Sequence, residues 1–166
     1  MLQVRPAVEA DRPTILGLAG EVEHWFGPMV AEPGFHRALD SHIADERALV
    51  ATDEGQPAGA VLFGGSSPRY AVHWLVISER ARGLGVGRRL MAAAIERLTA
   101  GQGLAEGELV DVVTFGADHP GAAAGGARVF YERLGFLPAE PAPDGPEGGS
   151  RQVFRYKRTE AVRFPF

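Results

Sequence analysis

Arg82-Gly83-Leu84-Gly85-Val86-Gly87-Arg88-Arg89-Leu90 follows a short apolar run and opens a segment with helical spacing. Glycines at alternate positions let the backbone turn tightly and leave no Cβ to hold N–H groups away from a ligand oxygen. A helix beginning directly afterwards adds its unpaired first-turn N–H groups and the positive end of its dipole, so the stretch reads as a cradle for phosphate. Arg82, Arg88 and Arg89 bring full charges to the same place. Several nucleotide-binding folds share a strand, a glycine loop and a helix, so the rest of the chain has to decide between them.

The chain has 166 residues, 45% of them hydrophobic, which is enough for one well-buried core, and a single domain over 1–166 is expected. Its net charge of −4 argues against a nucleic-acid partner. The absence of cysteine excludes a disulfide framework, a thiol nucleophile and a zinc–thiolate site. The five histidines are far apart in sequence, with no close ligand pair, and no metal is expected. Met1 to Ala10 carries charges and Pro6 where a signal peptide needs an apolar run, and no apolar stretch approaches spanning length. A soluble cytoplasmic protein without a membrane partner is the expectation. Sixteen of the seventeen basic residues are arginine, and glycine, alanine and proline are abundant, a composition that suggests a GC-rich bacterial genome.

Leu2 and Val4 alternate with polar neighbours as an opening strand. Asp11 with Pro13 signals the N-cap and first turn of a helix, with Ile15, Leu18, Ala19 and Val22 as its buried stripe. Glu21 to Pro28 mixes carboxylates, a histidine and two aromatics before Phe35, Leu39 and Ile43 restore helical spacing, so two helices flank an irregular aromatic connection. Arg47 to Thr52 and Pro57 to Phe63 are strand-like runs around a hairpin signal at Asp53-Glu54-Gly55-Gln56. Gly64 to Pro68 reads as a second turn and Tyr70 to Ile77 as a third strand. Beyond the glycine loop, Leu90, Met91, Ala94, Ile95 and Leu98 mark a helix packed on a sheet. Leu109 to Phe115 is a strand reached through that helix, which calls for parallel pairing. Ala127, Phe130, Tyr131 and Leu134 give a short helix stopped by Gly135. Pro138 to Gly149 reads as a mobile hairpin loop before a last strand over Gln152 to Tyr156. The expected fold is α/β (α+β), a mixed and mostly antiparallel sheet of about seven strands flanked by about four helices.

Spacing separates the rival loops. A Walker loop ends in Gly-Lys-Ser/Thr, whereas Gly87-Arg88-Arg89 offers no hydroxyl for magnesium. The dinucleotide fingerprint wants a glycine where Arg88 stands and belongs to a wound parallel sheet. Arg82-x-x-Gly85-x-Gly87, preceded by Leu75-Val76-Ile77, resembles the acyl-CoA pyrophosphate loop of the GNAT superfamily of N-acetyltransferases. Phe130-Tyr131-Glu132-Arg133-Leu134-Gly135-Phe136 resembles the Phe-Tyr-x-x-Leu-Gly-Phe segment that the family carries after its fifth strand. The order β-α-α-β-β-β-α-β-α-β-β is also similar to the family's over nearly the whole chain. The resemblance implies the acyl-CoA N-acyltransferase fold, acetyl-CoA as cofactor, an amine acceptor and, commonly, a homodimer. Ala124 departs from the pattern, because family members often carry asparagine there.

Acetyl transfer to an amine needs a placed thioester, a neutral amine and a proton for the leaving thiolate. In the family the pantetheine arm lies along the strand before the loop. The resemblance thus implies Leu75, Val76 and Ile77, with Arg82, Gly83, Leu84, Gly85, Val86, Gly87, Arg88 and Arg89, as the cofactor-binding stretch. Strand N–H groups there can polarise the thioester carbonyl. An alkyl amine with a pKa of about 10 must lose a proton before it attacks. By period two His73 shares a face with Leu75 and Ile77, and the arylalkylamine N-acetyltransferases, which this segment resembles, carry a histidine four residues before the position of Ile77. His73 is therefore the first base candidate, weighed against a hydrogen-bonded core histidine; Glu23, His24, Asp118 and His119 are others. The family's equivalent of Tyr131 lies near the sulfur, which makes Tyr131 the candidate acid. Glu23, His24, Trp25 and Phe26, with Met29, are expected to line the acceptor pocket beside the loop before the last strand. The expected reaction is direct attack by the primary amine of a small molecule in a ternary complex, since no covalent nucleophile stands out. Two other readings stay open: a non-catalytic acyl-CoA-binding sensor, and acetylation of a protein N-terminus or lysine.

Overall fold

A computed structural model describes residues 1–124 and 126–159, and the tail 160–166, for which the sequence predicts no element, lies outside the described residues. The first half runs β1 (Leu2–Pro6), α1 (Arg12–Glu21), α2 (Glu23–Phe26), α3 (Pro33–Ala44), β2 (Ala48–Asp53), β3 (Gln56–Ser66) and β4 (Arg69–Ile77). The second runs α4 (Val86–Leu98), β5 (Leu109–Phe115), α5 (Pro120–Ala124), α6 (Ala127–Arg133), β6 (Leu137–Ala142) and β7 (Arg151–Lys157). The strands form one sheet in the order β1-β2-β3-β4-β5-β7-β6. Among the described strands only β4 and β5 pair in parallel, as the crossover through α4 requires. The mixed seven-stranded sheet is the expected one. Among the described residues six helices stand where about four were expected, the additions being the single turns α2, inside the aromatic connection, and α5, after β5.

Local chemistry accounts for the boundaries. The β2–β3 hairpin closes through Glu54 and Gly55 with φ of 50° and 76°, the positive pair that a two-residue turn needs to match strand twist. β3 continues to Ser66, so the turn expected from Gly64 shrinks to Ser67-Pro68. β6 occupies the start of the stretch expected to be loop; its Pro138 and Pro141 are tolerated because β6 is an edge strand, and its pairing with β7 shifts register between them. Asp11 does not cap α1. It sits in helical geometry at the end of a short 3-10 turn, and its carboxylate accepts two hydrogen bonds of 2.7 Å from Arg5 and one of 2.8 Å from the Val8 N–H.

Each sheet face is covered by its own helices. Ile15, Leu18 and Ala19 of α1 and Leu39 of α3 pack with Ala48, Val50, Ala60, Leu62 and Val76. On the other face Leu90, Met91, Ala94 and Ile95 of α4 and Tyr131 and Leu134 near α6 pack with Leu49, Val61, Phe63, Tyr70, Val72, Val110 and Phe154. Along β4 the alternation breaks once. Val72 pairs with Phe63 and Trp74 with Leu62, so His73 is an extra residue in β4, a β-bulge. Tyr70 and Val72 face α4, yet Leu75 and Ile77 join that same side while Trp74 and Val76 turn to α1 and α3. The expectation that His73 shares a face with Leu75 and Ile77 therefore fails, because strict period two does not survive a bulge.

Candidate active site

The β4–β5 ladder ends at Val72 and Val112, and beyond that point each strand pairs only with its outer neighbour. The two strands part there, and a cleft of about 440 Å³ opens at their C-terminal ends. β4 supplies Leu75, Val76 and Ile77 to it. The loop and first turn of α4 supply Arg82, Gly83, Gly85, Val86, Gly87 and Arg88, and α6 supplies Phe130, Tyr131 and Arg133. Val22, Trp25 and Phe26 from the α1–α2 region and Phe115 at the end of β5 close the far side.

The glycines in the loop do different work. Gly83 and Gly85 hold φ of 79° and 78°, the left-handed region that favours glycine, and a Cβ on either would meet nothing within 4 Å. They shape the backbone and leave open space over it. Gly87 has an ordinary φ, but a Cβ there would lie 2.9 Å from Phe130 Cζ, so this glycine lets α6 close on the first turn of α4. Arg82 and Arg88 border the cleft beside N–H groups that α4 cannot satisfy internally, an arrangement suited to anions. Arg89 turns the other way and donates to the Leu2 carbonyl at 3.4 Å, and Leu84 is 58% exposed and outside the lining. Those two expected contacts are not brought to the cleft.

Tyr131 is buried among Phe130, Phe136 and Phe154 with ring centroids 5.1, 5.7 and 6.4 Å away, and still lines the cleft. Burial pushes its phenol well above the ordinary range, which keeps its proton in place. Of the five expected acceptor residues, Trp25 and Phe26 line the cleft, whereas Glu23 and His24 do not and Met29 is buried in the core under α1 and α3. The Glu23 carboxylate braces the next loop by accepting the Met29 N–H at 2.6 Å and the Val30 N–H at 3.2 Å, while His24 is exposed against Trp25. Phe26 instead meets Phe115, with centroids 4.5 Å apart.

None of the five base candidates lines the cleft. His73 lies on the α3 side, with Nδ1 2.8 Å from Nε2 of His42, and partial desolvation together with that neighbour lowers its pKa. Asp118 accepts a hydrogen bond from Ser150, which holds its carboxyl below the usual range. His119 is buried and stacked on Phe115 at 4.3 Å, accepts the Gly121 N–H at Nδ1 (2.8 Å), and faces Glu147 through Nε2 at 3.3 Å. Glu147 also pairs with Arg151 at 2.6 Å, whose guanidinium lies over the rings of Phe26 and Phe115. Burial alone would raise Glu147, but the bond from Arg151 brings it below its usual pKa. This cluster ties loop 143–150 down beside Gly27, where a Cβ would lie 2.9 Å from Pro146. Ala124 ends α5, exposed and outside the lining. Sequence reasoning missed Arg133 and Phe115; the signal for Phe115 was its place at the C-terminal end of a parallel strand, where open sheets hold ligands.

A family model for the acetyltransferase (GNAT) domain matches residues 44–138, from the end of α3 through the glycine loop and α6 to the start of β6. The chain belongs to the GNAT family of acetyltransferases. Solved structures agree on the fold. Ard1 from Thermoplasma volcanium superposes with a TM-score of 0.72 at 18% identity, covering 96% of this chain and 99% of its own. PaiA N-acetyltransferase from Thermoplasma acidophilum, solved in complex with coenzyme A, gives 0.70 at 13% identity over 95% and 99%. The ribosomal-protein-S18-alanine N-acetyltransferase from Escherichia coli gives 0.64 at 17% identity over 99% and 100%. At such identities the likeness speaks for the GNAT fold alone, and no curated protein matches the chain. Among the described residues no helix is long and apolar enough to cross a membrane.

Proposed function

We propose that this acetyltransferase transfers the acetyl group of acetyl-CoA to the primary amine of a small molecule, by direct attack within a ternary complex. The observation that carries the reading is the parting of β4 and β5, which leaves Leu75 to Ile77 bordering a cleft that leads to two arginines and two left-handed glycines. The residues present fit the cofactor: Arg82 and Arg88 with the turns at Gly83 and Gly85 would hold its diphosphate, and Leu75, Val76 and Ile77 would align its arm. When bound, acetyl-CoA supplies an acetyl group already activated as a thioester. Backbone N–H groups of β4 would orient and polarise the carbonyl, and Tyr131 holds a proton at its hydroxyl for a leaving thiolate.

The acceptor end is walled by Val22, Trp25, Phe26 and Phe115, which suits an amine on an apolar body. Loop 143–150, tied by Glu147 to His119 and Arg151, packs against Gly27 next to this wall and favours a small molecule over a polypeptide. The Escherichia coli enzyme of this fold is named for an alanine of ribosomal protein S18, so peptides belong in the test. A bacterial cytoplasm suits the cysteine-free, arginine-rich chain, and a homodimer belongs to the same proposal.

Free-thiol release from acetyl-CoA should be measured across small apolar amines, polar amines and N-terminal peptides, with initial rates over a grid of both substrates. Turnover of apolar amines with intersecting double-reciprocal lines is expected. Parallel lines would overturn direct attack, and peptide turnover alone would overturn the acceptor class. Tight CoA binding with no turnover on any amine would restore the sensor reading.

A further inference from the structure

His73 stands where β4 changes face. Its neighbour Val72 is the last residue of β4 in the β5 ladder, and on the β3 side Val72 and Trp74 are paired but His73 is not. A bulged residue weakens the ladder locally and has to be held by something else. Here the holding group is on α3. His42 Nδ1 lies 2.6 Å from the Ala38 carbonyl, one turn back, and so carries the hydrogen. With the His42 ring neutral, its Nε2 is then an acceptor, and His73 donates to it from Nδ1, 2.8 Å away. On β3, Gly64 makes room for the His73 ring, since a Cβ there would lie 2.8 Å from Cε1.

α3 grips β4 at a second point on the same stripe. Phe35, seven residues before His42, meets Trp74 edge-on at 5.3 Å, and Leu39 between them is fully buried. The two contacts fall on the bulge and on the residue after it. We propose that His42 and His73 form a clasp that holds the β4 bulge and thereby turns Leu75 and Ile77 toward the cleft, making both histidines positioning residues for the cofactor arm. The inference rests on the reading that Leu75 to Ile77 align that arm. Because the clasp lies outside the cleft, its loss changes where the strand sits and leaves the reacting groups untouched.

The test uses His42→Ala and His42→Asn, which leave β4 unaltered, with His73→Ala and the double variant. Each is assayed for CoA affinity by calorimetry, for KM of acetyl-CoA and of the amine, for the pH profile of kcat, and for thermal midpoint. Loss of one neutral hydrogen bond corresponds to about a three- to tenfold effect. His42→Ala should weaken CoA and raise the acetyl-CoA KM by that factor while the amine KM and the shape of the pH profile stay as they were. The double variant should be no worse than the poorer single one. A lowered thermal midpoint with unchanged CoA affinity in both His42 variants would reduce the pair to a structural contact and overturn the proposal. Loss of the acidic limb of kcat in His73→Ala alone would make His73 a base and overturn it as well. Arg88→Ala separates the two readings: if it leaves CoA affinity unchanged, the cofactor site itself is wrong, whereas a loss there beside normal His42 variants refutes the clasp alone.

Discussion

Replacing Gly87 with alanine separates two reasons for a glycine in the loop. If it serves only the approach of a ligand, alanine should leave the ligand-free protein as stable as before, or more so, because alanine gains up to about 1 kcal/mol over glycine within a helix. The packing argues otherwise. The new Cβ would lie 2.9 Å from Phe130 Cζ and 3.0 Å from Cε2, well inside the contact distance of carbon atoms, with Ile77 Cδ1 at 3.6 Å on the other side. The Phe130 ring would have to swing away from the α4 core it packs against. Overpacking of this kind costs about 1–3 kcal/mol, and the gain in helix propensity is reduced in a first turn, so the net loss should be about 1 kcal/mol. For a chain of this length that lowers the thermal midpoint by about 2–4 °C. Urea unfolding without acetyl-CoA measures it, and Phe130→Leu in the Gly87→Ala background should recover part of the loss. An undiminished ligand-free stability, with CoA affinity gone, would refute the packing argument.

Three further outcomes follow from the same geometry. Tyr131→Phe should lower kcat by about 10- to 100-fold with little change in either KM, since a thiol is a fair leaving group and only the proton donor is lost; steady-state kinetics decides it. Arg88→Ala should weaken CoA by about tenfold in calorimetry, whereas Arg89→Ala should change it less than about twofold, because the Arg89 guanidinium turns to the Leu2 carbonyl. Asp11 is held below the usual carboxylate range first by its bonds to Arg5, against the opposing effect of burial and with help from the Val8 N–H. A lowered pKa adds stability that is present above the unfolded value near 4 and is lost as pH falls through the folded one. With Arg5 half-exposed, Asp11→Asn should remove about 1 kcal/mol at pH 7 and much less at pH 2, read from urea midpoints.

Period and spacing made most of the fold legible. The stripe of Ile15, Leu18 and Ala19, the positive-φ turn at Glu54-Gly55 and the crossover through Leu90 to Leu98 each depend on local chemistry, and the β2-β3-β4 meander with its parallel step to β5 follows from them, whereas the place of β7 between β5 and β6 does not. Arg82, Arg88 and Tyr131 border one cleft, the two arginines through the spacing of the glycine loop and Tyr131 through the segment Phe130 to Phe136 that carries the family resemblance. The place of His73 was not legible. Its direction depends on one extra residue in β4, and that bulge depends on packing against Gly64 of β3 and His42 of α3, contacts absent from any short window of sequence. Glu23 misled in another way: a carboxylate near aromatics reads as an amine contact, but the Met29 and Val30 N–H groups that hold it belong to a loop whose path spacing does not reveal.

For the proposed amine acceptor, the cleft lining points to loss of the proton before binding. Its ionisable groups among the described residues are Arg82, Arg88, Arg133 and a phenol held protonated by burial, so neither a carboxylate nor an imidazole stands ready as a base. An ammonium beside Trp25, Phe26 and Phe115 would meet ring faces but no carboxylate, with Arg151 already over Phe26 and Phe115, and a site that desolvates the cation in this way favours the neutral amine. At low pH kcat/KM should then rise tenfold per pH unit until it levels near the acceptor's own pKa, and a less basic amine should move the whole profile down by the difference between the two pKa values. A base on the protein would hold the acidic limb at one pH whatever the amine. Profiles for two amines of similar shape and different basicity decide the matter: a common midpoint would mean that a titrating side chain does reach the cleft, and the proton route derived from its lining would be wrong.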